Sequence, residues 1–451
     1  MILNRKYQNA VVGKNIYSLM LAIGVHRNDQ SVLMLDDENI GIGHNFNSFI
    51  GEMEYQLLKL WGEKWNIECL KKIEDFSVNS HVIGIFNDVQ ILGGRSPYKN
   101  LREIFRKKPG LFPKDFFVKF SKIDRDQFDQ SMMGYFKRMS SLFFYSHRVE
   151  EIGVHSFKEI PQKIVAEWIQ FLLANKNSLE VKEFLYSLSG GFQGILCPNF
   201  NALDFYYLPL KTLCPGYYLD ASSLEKSLLE LFVSEGGHLK NTEIMNWEFE
   251  GGRPKYIQLN SFEGVIEACE VHYLGRIYDG PPLLLRRPEK KYGSFEINLK
   301  LSELSCAPSI SDTPFVAHIC ERQWLGSEFP FLQVVCLPSE DKLRVTQSYQ
   351  LKLGQNPKLR ADDLIPKIKN SLSTLMSDKE VERFAFSDNW SVGHEHWSGV
   401  RGRLAINRVI AREFNAPTSG RELSNFSYLG PFSSPSLGPI SILMEVKNLA
   451  H

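Results

Sequence analysis

Most of the signatures that assign a function at a glance are missing from this sequence. No apolar run reaches the roughly 18–20 residues that cross a bilayer. The opening MILNRKYQNAVVG carries neither the apolar stretch nor the small-residue cleavage site of a secretory leader, so the expected location is the cytoplasm. Cysteine is sparse: seven in 451 residues, an odd number, never in C-x-x-C spacing. That argues against a disulfide framework or a zinc site and reads as a set of buried thiols. Net charge is absent as well. Fifty-two basic residues balance fifty-two acidic ones, so no overall field draws the chain to nucleic acid, an anionic membrane or a polyacidic substrate. The local clusters FRKK (105–108) and RRPEKK (286–291) read as solvated surface. There is no G-x-S-x-G elbow, no H-E-x-x-H, no Walker loop, no internal repeat and no low-complexity tract.

What is present is an ordinary globular mixture, 43% hydrophobic and 23% charged, enough for one large or two to three medium domains. The 31 phenylalanines suit a large aromatic core or an apolar cavity. Histidines are few, 11 in all. His394 and His396 in WSVGHEHWSG, flanked by Trp390 and Trp397, lack a convincing third ligand for a metal, and His318, Cys320 and Glu321 form a mixture that also arises by chance.

The informative stretch is VVGKNIYSLMLAIGVHRNDQSVLMLDDENIGIGHNF (11–46). An apolar run ends at Gly13, Ile16, Leu19, Met20 and Ile23 then recur at helical spacing, and SVLMLDD resumes a buried-strand pattern. This is a β-turn-α-β unit whose second strand closes on Asp36, 23 residues after Gly13, about where such a unit places the acid that receives a ribose hydroxyl. A G-x-G-x-x-G turn uses its glycines for the bend, for phosphate approach to bare backbone at the helix N-terminus, and for helix-on-strand packing. The three positions here read Gly13, Asn15 and Ser18. Ser18 is small. Asn15 tolerates a bend but adds a side chain where phosphate would sit.

The segment resembles the N-terminus of the FAD-dependent oxidoreductase superfamily that includes phytoene desaturases, amine oxidases and Rab GDP-dissociation inhibitors. In that superfamily the acid is followed by a Gly-Gly-Arg-like element over the cofactor pyrophosphate. In DDENIGIGHNFNS, Gly43 fits the second glycine, Ile42 stands at the first and His44 at the arginine. The stretch 217–249 is similar to the family's amphipathic helix that ends in Gly-Gly (Gly236, Gly237) and feeds a returning strand, with Leu224, Leu228, Leu231 and Phe232 as its apolar stripe. Residues 256–275 follow as strand, turn and strand. Residues 425–450 resemble the closing strand, Gly-Asp turn and final helix, with Gly430 matching the glycine, Pro431 replacing the aspartate and Gly438 keeping bare backbone near the flavin.

The resemblance implies an α/β protein: a Rossmann-like FAD/NAD(P)-binding domain in three discontinuous segments (1–96, 206–280 and 406–451). A mainly helical substrate-type region (97–205) and a β-rich one (281–405) are inserted as an α+β substrate-type domain. Within the insert, 156–177 reads as a helix with Ile164, Trp168, Phe171 and Leu172 on one face. The stretch 187–199 reads as a loop, 329–338 and 341–353 as β-rich runs, and 361–377 as a helix. The cofactor positions implied are Gly13, Asn15, Ser18, Asp36, Gly43, His44, Gly430 and Gly438. The departures at Asn15, Ile42, His44 and Pro431 each remove something that a tightly held FAD contacts, at about 1–3 kcal/mol apiece. FAD is then held weakly or not at all. Two functions fit: a flavoprotein-fold protein without conventional FAD redox catalysis, binding a protein partner or a small apolar ligand in its inter-domain cleft, or an FAD-dependent oxidoreductase acting on an amine or apolar small molecule. The residues identify no catalytic group.

Overall fold

The computed structural model describes residues 5–37, 49–86, 89–92, 96–147, 152, 156–157, 159–193, 202–250, 253–260, 264–274, 291–300, 314–320, 331–337, 342–351, 390–393, 425–428 and 439–450, some as backbone alone. Two sheets organise them. The first begins with β1 (Arg5–Val12) and β2 (Val32–Asp36), which pair in parallel from Asn9↔Val32 to Val12↔Leu35. Strand β7 (His238–Asn241) adds outside β2 and β10 (Val265–Tyr273) adds on the other side of β1, both in parallel. The far edge of β10 is shared. Its last residues pair in parallel with β16 (Phe426–Tyr428), and its first pair antiparallel with β9 (Arg253–Leu259), which continues to β8 (Ile244–Glu250). Five parallel strands thus come from three separated stretches of chain, as the sequence implied.

Parallel strands covered on both faces should be apolar on both. Ala10, Val11, Val12, Leu33, Met34 and Leu35 are all fully buried. Val11 and Met34 join the core under helix α1 (Ile16–His26), while Ala10, Val12, Leu33 and Leu35 join Trp247, Ile257 and Leu259 of β8 and β9 on the opposite face. Helix α1 has no polar face: every residue from Ile16 to Val25 is buried. A helix apolar all round must be enclosed, and it is, by helix Ala221–Ser234, the terminal helix Pro439–Leu449 and Trp61 and Trp65 near the end of helix α2 (Glu52–Lys64). Helix Ala221–Ser234 stops as expected, with Gly236 at φ +92° and its buried stripe formed by Leu224, Leu228 and Phe232.

The second sheet is mainly antiparallel. Its order is β15 (Trp390–Gly393), β11 (Lys291–Lys300), β14 (Lys342–Leu351), β13 (Phe331–Leu337), β12 (Phe315–Cys320), β4 (Ser77–Phe86), β6 (Gly216–Leu219) and β3 (Phe49–Gly51), with β5 (Val89–Leu92) beside β4 and one parallel contact, β12 with β4. It therefore recruits β3, β4, β5 and β6 from stretches that the division by sequence gives to the nucleotide-type segments. Pairing between strands far apart in the chain leaves no local sequence mark. The helical layer packs through aromatics: in helix Lys163–Ala174, Ile164, Trp168 and Leu172 are buried, Phe171 lies half-buried beside them, and Trp168 stacks on Phe112 at 5.1 Å.

One local expectation fails. Residues 187–193 are not loop but the last turns of helix Leu179–Gln193, which runs through Gly190 and Gly191. Tertiary packing of a long amphipathic helix overrides the roughly 1 kcal/mol that each glycine costs. Residues 194–199, 361–377 and His394, His396 and Trp397 lie outside the described residues. No helix among the described residues is long and apolar enough to cross a membrane.

Candidate functional site

The β1–α1 turn is the place where a dinucleotide fold does its binding, and each residue there has a definite job. Gly13 takes φ +94° at the end of β1, a conformation that glycine adopts freely, while its N–H donates to Leu35 O at 2.9 Å. The bend therefore survives. Asn15 is the N-cap of α1 in extended backbone, and it is buried, as is Ser18. Asn15 Oδ1 accepts from Ser18 N at 3.0 Å, and Ser18 Oγ accepts from Asn15 N at 2.8 Å. This is a reciprocal capping box. It satisfies from within the chain two backbone donors at the helix end that would otherwise face an anion. Ser18 Oγ also donates to Asn15 O at 2.8 Å.

Asp36 sits at the end of β2 as predicted, yet it is already partnered. Lys14 Nζ lies 2.5 Å from Asp36 Oδ2, with the two side chains 29% and 21% exposed. The residue that follows Gly13 thus holds the carboxylate at the end of β2. Glu225, half-buried on helix Ala221–Ser234, faces this pair. Burial raises its carboxyl above the ordinary range, the Lys14 charge pulls it down, and Asp36 pushes it up again. The neighbouring Asp37 is structural: its Oδ2 accepts from Ile244 N at 2.7 Å, tying the end of β2 to the start of β8. Gly43, His44, Gly430 and Gly438, with Ile42 and Pro431, lie outside the described residues.

Beside the turn, the start of α2 holds a buried charged cluster. Glu54 Oε2 accepts from Gly51 N at 3.2 Å, and its Oε1 accepts from Tyr207 Oη at 3.0 Å and from Lys211 Nζ. Glu54 and Lys211 are 1% and 3% exposed. Glu52 accepts from Tyr217 Oη at 2.5 Å and from Gln56 Nε2 at 2.7 Å, and Tyr217 stacks on Tyr55 at 4.4 Å. Burial first, then the Glu54 charge, raises the Tyr17 phenol, so the two helix starts share one electrostatic environment. The same causes push the Tyr207 phenol and the Cys214 thiol well above their usual values. These groups stay protonated at neutral pH and offer no nucleophile.

Deeper in the sheet, His272 on β10 is buried and its pKa is pulled down to about 4 by desolvation. The neutral ring sits with Nε2 3.1 Å from Asn9 Oδ1, while Asn9 Nδ2 donates to Gln30 Oε1 at 2.6 Å. Among the described residues no group of histidines, cysteines and carboxylates could hold a metal. Sequence reading missed Lys14, Glu225, Glu54 and Lys211. A signal existed for one of them: Lys211 is the lone charge in the otherwise apolar FYYLPLKTL, the mark of a buried lysine with a partner.

No family model matches the chain, and no curated protein matches it in sequence. Solved structures similar to it in shape include the Rab GDI of Plasmodium falciparum, at 10% identity and a TM-score of 0.48 over 87% of this chain and 90% of that one. They also include PqsL of Pseudomonas aeruginosa in complex with 2-aminobenzoylacetate, at 9% identity and 0.44 over 98% and 84%. A third is a geranylgeranyl bacteriochlorophyll reductase-like protein of Thermoplasma acidophilum, at 8% and 0.43 over 99% and 77%. The strand order and the turn chemistry of this chain carry the reading that follows.

Proposed function

We propose that this chain is a divergent member of the FAD-dependent oxidoreductase superfamily without conventional FAD redox catalysis, whose inter-domain cleft binds a protein partner or a small apolar ligand. The observation that supports it is the closed turn. A diphosphate needs bare backbone donors at the start of α1, and the Asn15–Ser18 capping box uses two of them. An adenosine ribose needs a free acid at the end of β2, and Lys14 occupies it. The residues present at this turn do not fit FAD in the family's usual manner.

A second reading, an FAD-dependent oxidoreductase acting on an amine or apolar small molecule, is favoured by one observation: the bend at Gly13 and the position of Asp36 are both kept. In that case Lys14 would have to leave Asp36 for the diphosphate. The visible absorbance of the purified full chain separates the two, measured as isolated and again after incubation with FAD and desalting. A colourless protein in both states is expected; a stoichiometric flavin spectrum in either state overturns the proposal.

A further inference from the structure

The chain as a whole is neutral, but residues 105–122 (FRKKPGLFPKDFFVKFSK) hold six cations and one acid, together with five phenylalanines. In the five-residue helix Phe116–Phe120, the i and i+4 rings of Phe116 and Phe120 point inward and stack at 5.4 Å. That geometry turns Phe117 and Val118 outward, 62% and 59% exposed. The platform beneath them is aromatic. Phe105 lies 4.9 Å from Phe116 and 6.0 Å from Phe117, and Phe112 is stacked on the buried Trp168.

Three acids from this stretch and the packed helices neutralise part of the charge. Glu103 pairs with Arg106 at 2.9 Å, and Asp115 and Glu167 pair with Lys119 at 2.8 and 2.7 Å. A fourth, Glu180, packs against Gly110. Lys107, Lys108, Lys114 and Lys122 have no ion pair among the described residues.

We propose that this tip docks the protein on an anionic lipid surface, with Phe117 and Val118 entering the headgroup boundary and the four lysines meeting lipid phosphates and carboxylates. An exposed apolar pair in a stretch rich in unpaired lysines is the pattern of interfacial attachment. Protein interfaces deplete lysine and need a larger apolar patch. A symmetric contact with a second copy would bring two such cationic patches together. Lysine in place of arginine, and an aliphatic residue beside the single outward ring, favour lipid over a nucleic-acid strand.

The test is sedimentation of the full-length protein with vesicles of phosphatidylcholine alone and with added phosphatidylserine, at low and high salt. Binding is expected only with phosphatidylserine, and it weakens with salt. F117S/V118S should lower the partition coefficient by about tenfold or more, and each of K114E and K122E by at least about fivefold. All four positions are exposed, and circular dichroism checks that the fold persists. The proposal is overturned if the wild-type chain ignores phosphatidylserine vesicles, or if F117S/V118S binds them as well as wild type. It is equally overturned if the patch instead drives self-association, or binds a single-stranded oligonucleotide and no vesicle.

Discussion

Two helix starts lie side by side in this protein, and both are closed by side chains in different ways. At α1 the closure is neutral inside, through Asn15 and Ser18, and ionic only at the rim, where Lys14 and Asp36 remain partly in water. At α2 the ion pair itself is buried, with Glu54 bonded to Gly51 N, Tyr207 and Lys211 away from solvent. A rim pair in water contributes little to stability. A buried pair holds two elements together because breaking it strands a charge. The first end has its polar contacts met from within the chain, and the second ties α2 to helix Ala202–Leu213.

Removing one half of the buried pair should have the largest effect. Lys211→Met leaves Glu54 buried without its cation and should destabilise by about 3–5 kcal/mol, read from urea unfolding, whereas E54Q/K211M should recover much of that loss. Next is the response to acid. His272 is neutral in the fold with a pKa of about 4 against an ordinary 6.5. The unfolded chain therefore binds the extra proton between those values. Stability should be complete above pH 6.5 and fall by about 3 kcal/mol as pH drops toward 4. His272→Gln should flatten that part of the profile.

A smaller change is expected at the turn. Asn15→Ala removes the cap from a buried N–H and should cost about 1–2 kcal/mol, while Asn15→Gly should cost only a few tenths. Smallest of all, Lys14→Ala should alter stability by no more than about 0.5 kcal/mol, since both partners are partly solvated. The same substitution removes the charge that holds the Glu225 carboxyl down, so Glu225 should titrate higher in the variant, a shift measurable by NMR.

Much of this was legible in the sequence. The period change from strand to helix across Gly13, the stop at Gly236 and the placement of Asp36 depend on local rules, and each is found where the residues put it. The Asn15 side chain was expected at the turn, and the structure shows it capping Ser18 N. The role of Lys14 was not legible, because spacing does not say which way a long flexible side chain folds. The membership of β3, β4 and β6 in the second sheet was hidden for another reason: their partners are up to 234 residues away in the chain, as for His81 and Phe315. The stretch around Phe117 was legible only in part. Its FRKK cluster was read as surface, but Phe117 and Val118 became notable only once their neighbours Phe116 and Phe120 turned inward.

The most direct test of the closed turn is a calorimetric titration of the wild-type protein with FAD. The account predicts no saturable heat at concentrations up to about 1 mM, the range of binding weaker than about −4 kcal/mol. A one-to-one isotherm with a Kd of about 1 μM or tighter, about −8 kcal/mol, would show that the Asn15–Ser18 cap and the Lys14–Asp36 pair yield to the cofactor, and would contradict it.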